Sequence, residues 1–165
     1  MQVVISDSSV IIDLARAGLI EAAFALPYDF RIPDVMFDDE LLYLGDYSRD
    51  DLIKAGLTKS TLDGSGVEMA LRFGKRYLAL STNDRFALAL ARIESAALLS
   101  GDHKLCDAAE QENLTTLDLL WLIDELIAQG TLGNSVLREA LDILTDDPHV
   151  GLPKSELQRR IRALS

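Results

Sequence analysis

The stretch Val3-Val4-Ile5-Ser6-Asp7-Ser8-Ser9-Val10-Ile11-Ile12-Asp13-Leu14 joins two periodicities at one acid. Residues 3–6 are a short apolar run rich in β-branched side chains, the signature of a buried strand, and apolar residues then recur at helical spacing from Val10 to Ala17. Asp7 therefore closes a first strand and opens a first helix. The same grammar returns far down the chain in Ala96-Ala97-Leu98-Leu99-Ser100-Gly101-Asp102, followed by helical spacing from His103 to Glu112. Strands alternating with helices predict an α/β fold whose central sheet is mainly parallel with helices on both faces. Ligands of such sheets bind beyond the carboxyl ends of the strands, so Asp7 and Asp102 are expected to meet there.

The segments between these anchors read as a helix pair (Ser8–Ala17, Leu19–Leu26), a strand at Phe30–Ile32 and a helix from Asp34 to Leu44. Residues 49–55 suit a helix and 57–62 an extended stretch before the Asp63-Gly64 turn signal. Helices follow at Val67–Tyr77 and Asn83–Glu94, and a last strand at Leu114–Leu117. From Leu119 the chain is helical to about Leu164, with breaks at Gly130 and Asp147-Pro148. We expect a core over residues 1–118 and a C-terminal helical extension over 119–165, packed on the same domain.

A chain of 165 residues suits one domain. No apolar stretch reaches the ~18 residues a membrane helix needs, and no basic leader precedes the first strand, so a soluble cytoplasmic protein with no membrane partner is expected. The single Cys106 cannot form an internal disulfide and reads as a small buried apolar residue. A net charge of -11 argues against a general nucleic-acid coat but leaves a nuclease open, because cations neutralise an acidic site. Basic residues gather at Arg72, Lys75 and Arg76 and at Lys154, Arg159, Arg160 and Arg162. Each group reads first as a solvated helix face and second as a phosphate contact.

Two further acids share the setting of Asp7 and Asp102. Glu40 has Met36, Phe37, Tyr43 and Leu44 three and four residues away, so its carboxylate lies on an apolar helix face and needs a partner there. Asp39 has nearly the same neighbours, and spacing leaves the choice between the two open. Asp84 follows Ser81-Thr82-Asn83 in a capping-box-like start. Asp7, Asp84 and Asp102 each also suit plain helix capping. Asp13 is expected to face solvent, Trp121 to sit in the core, and His103 and His149 to decorate the surface. Oxygen-only ligand sets suit Mg²⁺ or Mn²⁺, and phosphodiester hydrolysis by such ions needs no His, Cys or Ser nucleophile.

In order, these segments resemble the PIN-domain ribonucleases, above all the toxin-like proteins of prokaryotic toxin-antitoxin pairs. Residues 4–14 resemble the family's opening strand, first acid and helix; Ile32-Pro33-Asp34-Val35-Met36-Phe37-Asp38-Asp39-Glu40-Leu41 resembles the segment of its second acid; Ser81-Thr82-Asn83-Asp84 resembles the third position and Leu98-Leu99-Ser100-Gly101-Asp102-His103 the fourth. Between Asp39 and Glu40 the resemblance selects Glu40. It implies a PIN-like three-layer α/β/α sandwich and a Mg²⁺- or Mn²⁺-dependent endoribonuclease acting on RNA. Asp7, Glu40, Asp84 and Asp102 are then its catalytic and metal-holding residues, and Ser9 stands behind them. A homodimer and a cognate antitoxin are the implied partners. Ser8-Ser9 replaces the family's Thr or Asn tendency after the first acid, and the helical tail exceeds the common core. Two rivals remain: a non-catalytic PIN-like protein-binding module, and a haloacid-dehalogenase-type phosphatase, which wants an acid where Ser9 stands.

Overall fold

Val4 and Ile5 are fully buried because β1 (Gln2–Ser6) is the middle strand of a five-stranded sheet, with neighbours on both edges and side chains packed on both faces. In the computed structural model, which describes residues 1–164, every strand pairing is parallel and the order is β3-β2-β1-β4-β5. The other strands are β2 (Tyr28–Pro33), β3 (Thr58–Ser60), β4 (Ala97–Leu99) and β5 (Thr116–Leu117). Gln2 to Ile5 lie beside Tyr28 to Arg31, and Val4 to Ser6 beside Ala97 to Leu99. The chain builds outward from β1 to β3, then returns to the opposite edge of β1 for β4. The strand order reverses between β1 and β4, and such a switch point opens a crevice at the carboxyl ends.

Helices cover both faces, giving the three-layer sandwich. They are α1 (Ser8–Arg16), α2 (Ile20–Phe24), α3 (Asp34–Glu40), α4 (Arg49–Ala55), α5 (Gly64–Arg76), α6 (Thr82–Glu94), α7 (His103–Gln111), α8 (Leu119–Gln129), α9 (Asn134–Asp146) and α10 (Lys154–Ala163). Leu122, Leu126, Leu141, Leu144 and Leu157 of the last three helices join the same apolar cluster as Val4 and Leu98. Ser165, the final position of the 119–165 segment, lies outside the described residues. Among those described, no helix is long and apolar enough to cross a membrane.

Several boundaries differ from the sequence reading: β2 runs Tyr28–Pro33 where Phe30–Ile32 is expected, β3 keeps Thr58–Ser60 of 57–62, and α2 keeps Ile20–Phe24 of 19–26. The helix expected to reach Leu44 stops at Glu40, because Leu41 adopts φ -86°, ψ 68° and the Leu42 N–H bonds back to the Glu40 carbonyl at 3.0 Å. That is an inverse γ-turn. It swings Leu41 and Leu44 into the core and leaves Tyr43 81% exposed. Helix α5 begins at Gly64, not Val67, because the Asp63 carboxylate caps it by accepting the Gly66 N–H at 2.9 Å. Strand β5 keeps only two of the four residues expected at 114–117.

Candidate active site

Asp7 follows β1, and its position between strand and helix invites a capping role that the side chain does not perform. Its Oδ2 instead accepts hydrogen bonds from Ser100 Oγ at 2.8 Å and Ser9 Oγ at 3.1 Å. The carboxylate is 5% exposed. Burial pushes its pKa above the usual aspartate value, the Ser100 and Ser9 hydroxyls pull it back, and the charges of Glu40 and Asp102 raise it further. Ser100 also accepts the Asp102 N–H at 3.0 Å, so one hydroxyl links the ends of the two central strands.

Glu40 is the last residue of α3, turned toward the same crevice while Asp39 is exposed. Ser8 Oγ donates to its Oε1 at 2.7 Å, and Asn83 Nδ2 donates to its Oε2 at 2.8 Å. Both oxygens are thereby held. Asp84, in the first turn of α6, accepts nothing back in a reciprocal capping box; its backbone N–H donates to Ser81 Oγ at 3.1 Å. Burial raises its pKa to about 6, with Asp7, Asp102 and Glu40 adding to the rise and Ser81 opposing it. Asp102 does cap α7, its Oδ1 accepting the N–H groups of Lys104 at 2.9 Å and Leu105 at 3.3 Å. Its other oxygen is spare.

All four acids line one cavity of about 1130 Å³ at the sheet's switch point, together with Ser8, Ser9 and Ser100. Four segments separated by up to 95 positions along the chain, Asp7 to Asp102, supply one patch of negative charge. Among the described residues no three acidic, His or Cys side chains form a ready-made metal cage. The donors nevertheless fit a hard divalent cation: they are all oxygens, half of the acids have oxygens with no protein donor, and Mg²⁺ keeps most of its waters while touching one or two carboxylates.

Ser8, Ser100 and Asn83 escaped the sequence reading, which placed only Ser9 behind the acids. Each lies within two residues of an expected acid, and that proximity was the available signal. Three other expectations need correction. Asp13 does not face solvent: it is half-buried on the cavity wall, where burial lifts its pKa to about 6, Asp147 adds to the rise and Arg16 opposes it. Cys106 is half-buried on that wall, not sealed in the core, and burial with the nearby acids pushes its thiol to about 11, leaving it protonated. Trp121 packs edge-on against Tyr28, ring centres 5.1 Å apart, yet also reaches the cavity. His103 and His149 are exposed at the same cavity. Within the basic groups, three side chains are spent on ion pairs: Arg76 with Glu112 at 2.8 Å, Arg159 with Glu156 at 2.9 Å, and Arg160 with Asp124 at 2.7 Å and Glu156 at 2.9 Å.

A parallel α/β/α sandwich with a carboxylate-lined crevice at its switch point defines a class of α/β proteins that gather acids from separate strand ends. Within that class, a family model described as a PIN domain matches residues 3–165. The chain belongs to the PIN-domain family, whose members are generally nucleases that work with divalent metals. Among solved structures it is similar to a PilT N-terminus domain protein from the hyperthermophilic archaeon Sulfolobus solfataricus P2, with a TM-score of 0.51 and 13% identity over 79% of this chain and 94% of that one. At that identity the likeness speaks for the fold alone. No curated protein matches the chain.

Proposed function

We propose that the chain is a Mg²⁺- or Mn²⁺-dependent endoribonuclease, with Asp7, Glu40, Asp84 and Asp102 as the acids that hold the metal. The carrying observation is the convergence of these acids on one cavity, strongly enough that three of them raise the pKa of the fourth. A divalent ion bound there would stabilise charge on the scissile phosphate and its leaving oxygen and lower the pKa of attacking water. The residues prepare for it in separable ways. Ser9 and Ser100 orient Asp7, Ser8 and Asn83 clamp Glu40 by both oxygens, and Asp84 with the spare oxygen of Asp102 faces the cavity with the fewest protein donors. Without a cation this patch repels an RNA backbone.

Metal-dependent cleavage of RNA, with Asp7→Asn and Asp102→Asn as controls, tests the reading. We expect cleavage with Mn²⁺, none with EDTA, and at least a hundredfold loss in Asp7→Asn, the scale at which individual metal-site groups act. Equal activity in both variants rejects the assignment. The reading extends to a toxin-like role in the cytoplasm, a homodimer and a cognate antitoxin, which growth arrest on expression and the mass of the purified species address. One observation favours the rival binding module: both oxygens of Glu40 are already occupied by protein donors. A module of that kind shows no stabilisation by Mn²⁺.

A further inference from the structure

The cavity is far larger than a cation and one phosphate need. At about 1130 Å³ it slightly exceeds the usual range of small-molecule sites, and its lining is of two kinds. The acids follow β1 and β4 or sit on α3 and α6. Ile12 of α1, Leu120 and Trp121 of α8, and Leu152 and Pro153 of the loop before α10 add apolar wall, interrupted by Asp13, Arg16 and His149, with Thr116 and Asp118 at the end of the edge strand β5. This wall is fixed in place. The Asp147 carboxylate accepts the His149 N–H at 2.9 Å and pairs with Arg16 at 3.5 Å, which holds the loop against α1. Arg160 clamps α10 to α8 through both Asp124 oxygens at 2.7 and 2.9 Å. Half-buried apolar side chains thus stay presented to a cavity that opens directly onto the acids.

Resting on the nuclease reading, we infer that this annex seats the base of a nucleotide adjacent to the scissile phosphate and prefers bases that carry an exocyclic amine. Flat apolar walls accept any base face. Selection comes from Thr116 and Asp118. The Asp118 Oδ1 already accepts the Trp121 N–H at 2.9 Å, which leaves its other oxygen, with the Thr116 hydroxyl, to accept from an amine. Adenine, cytosine and guanine offer that donor; uracil does not.

Trp121 is the sole tryptophan and reports on the annex directly. The full-length protein in EDTA, where no cleavage occurs, is titrated with adenosine, cytidine, guanosine, uridine and ribose while its fluorescence is followed. We expect saturable quenching by at least one amine-bearing nucleoside, at least fivefold weaker binding of uridine, and no response to ribose. Leu152→Asp should weaken binding tenfold or more, and the milder Thr116→Val should reduce the discrimination against uridine, with Asp118 still able to accept; circular dichroism verifies that both fold. Absence of quenching by all four nucleosides, equal binding of uridine, or unaltered binding in Leu152→Asp overturns the inference. In parallel, cut sites are mapped on unstructured RNA with Mn²⁺. Cleavage without nucleoside binding sinks the annex and keeps the nuclease, whereas nucleoside binding without cleavage does the reverse.

Discussion

Asp84 keeps its proton to about pH 6 because it shares a partly dry cavity with Asp7, Asp102 and Glu40, and that crowding has a stability cost. The folded pKa lies above the ordinary 3.8, so the penalty is absent below that value and complete once the pH has risen through about 6. A rise of about two units corresponds to at most ~3 kcal/mol, and partial exposure screens this to about 1 kcal/mol. Asp84→Asn should therefore raise the melting temperature by roughly 2–4 °C at pH 7.5 in EDTA and change it little at pH 4. An unchanged melting temperature at pH 7.5 means that neither burial nor the neighbouring acids burden the Asp84 carboxylate. Asp7 and Asp102 stand out in the sequence because each closes an apolar run, whereas Asp84 looks like a capping residue and Glu40 is chosen over Asp39 only by the family resemblance. The hydroxyl and amide partners do not stand out, since Ser8, Ser100 and Asn83 look like ordinary helix-start and turn residues until distant strands are brought side by side. Only geometry separates Asp39 from Glu40 on physical grounds: Asn83 donates to both, at 3.3 and 2.8 Å, but Glu40 alone meets Ser8 and lines the cavity, while Asp39 lies exposed.

At the level of elements, the positions of β1, β4, α1 and α7 follow from apolar runs ending in an acid, which is why the site-bearing half of the fold was readable. Most helix ends also lie within a residue or two of their expected places, and the larger exceptions, the end of α3 and the start of α5, depend on single hydrogen bonds. The γ-turn at Leu41 has no composition signal; it arises because Leu41 and Leu44 both find room in the core. Helix α6 ends at Ser95 with φ 49°, ψ 43°, a left-handed cap that drops the chain at once into Ala96 and β4. A branched side chain is strained there, whereas glycine is not. Ser95→Val should cost about 1–2 kcal/mol in urea unfolding and Ser95→Gly should gain up to about 0.5 kcal/mol. Equal stability of the two variants contradicts the left-handed cap that aims β4 at the site.

For the whole molecule, acids with opposite shifts bracket a window of maximum stability. Asp13 and Asp84 are raised to about 6, so their favourable contribution fades as the pH climbs through about 6, and Asp7, raised by burial, acts in the same direction. Asp51, Asp63 and Asp147 lie below 3.8, held by hydrogen bonds from Ser48, Gly66 and His149, so their contribution is lost only as the pH falls through those lowered values. The metal-free protein should melt highest near about pH 5 and lose stability toward pH 8, where a net charge of -11 adds self-repulsion. Divalent cations should reverse that slope. An ion that binds only the folded state at a hundred times its Kd stabilises by about 2.7 kcal/mol, and it binds better where Asp7 and Asp84 are ionised. Mn²⁺ should therefore raise the melting temperature more at pH 8 than at pH 5. Monovalent salt at equal ionic strength screens the repulsion without that specificity. If sodium chloride matches Mn²⁺ at both pH values, the acids form only a diffuse negative surface and the metal-holding reading fails. If Mn²⁺ alone restores stability at pH 8, and Asp7→Asn abolishes that gain, the charge penalty of the free protein is the cost of keeping a cation site ready.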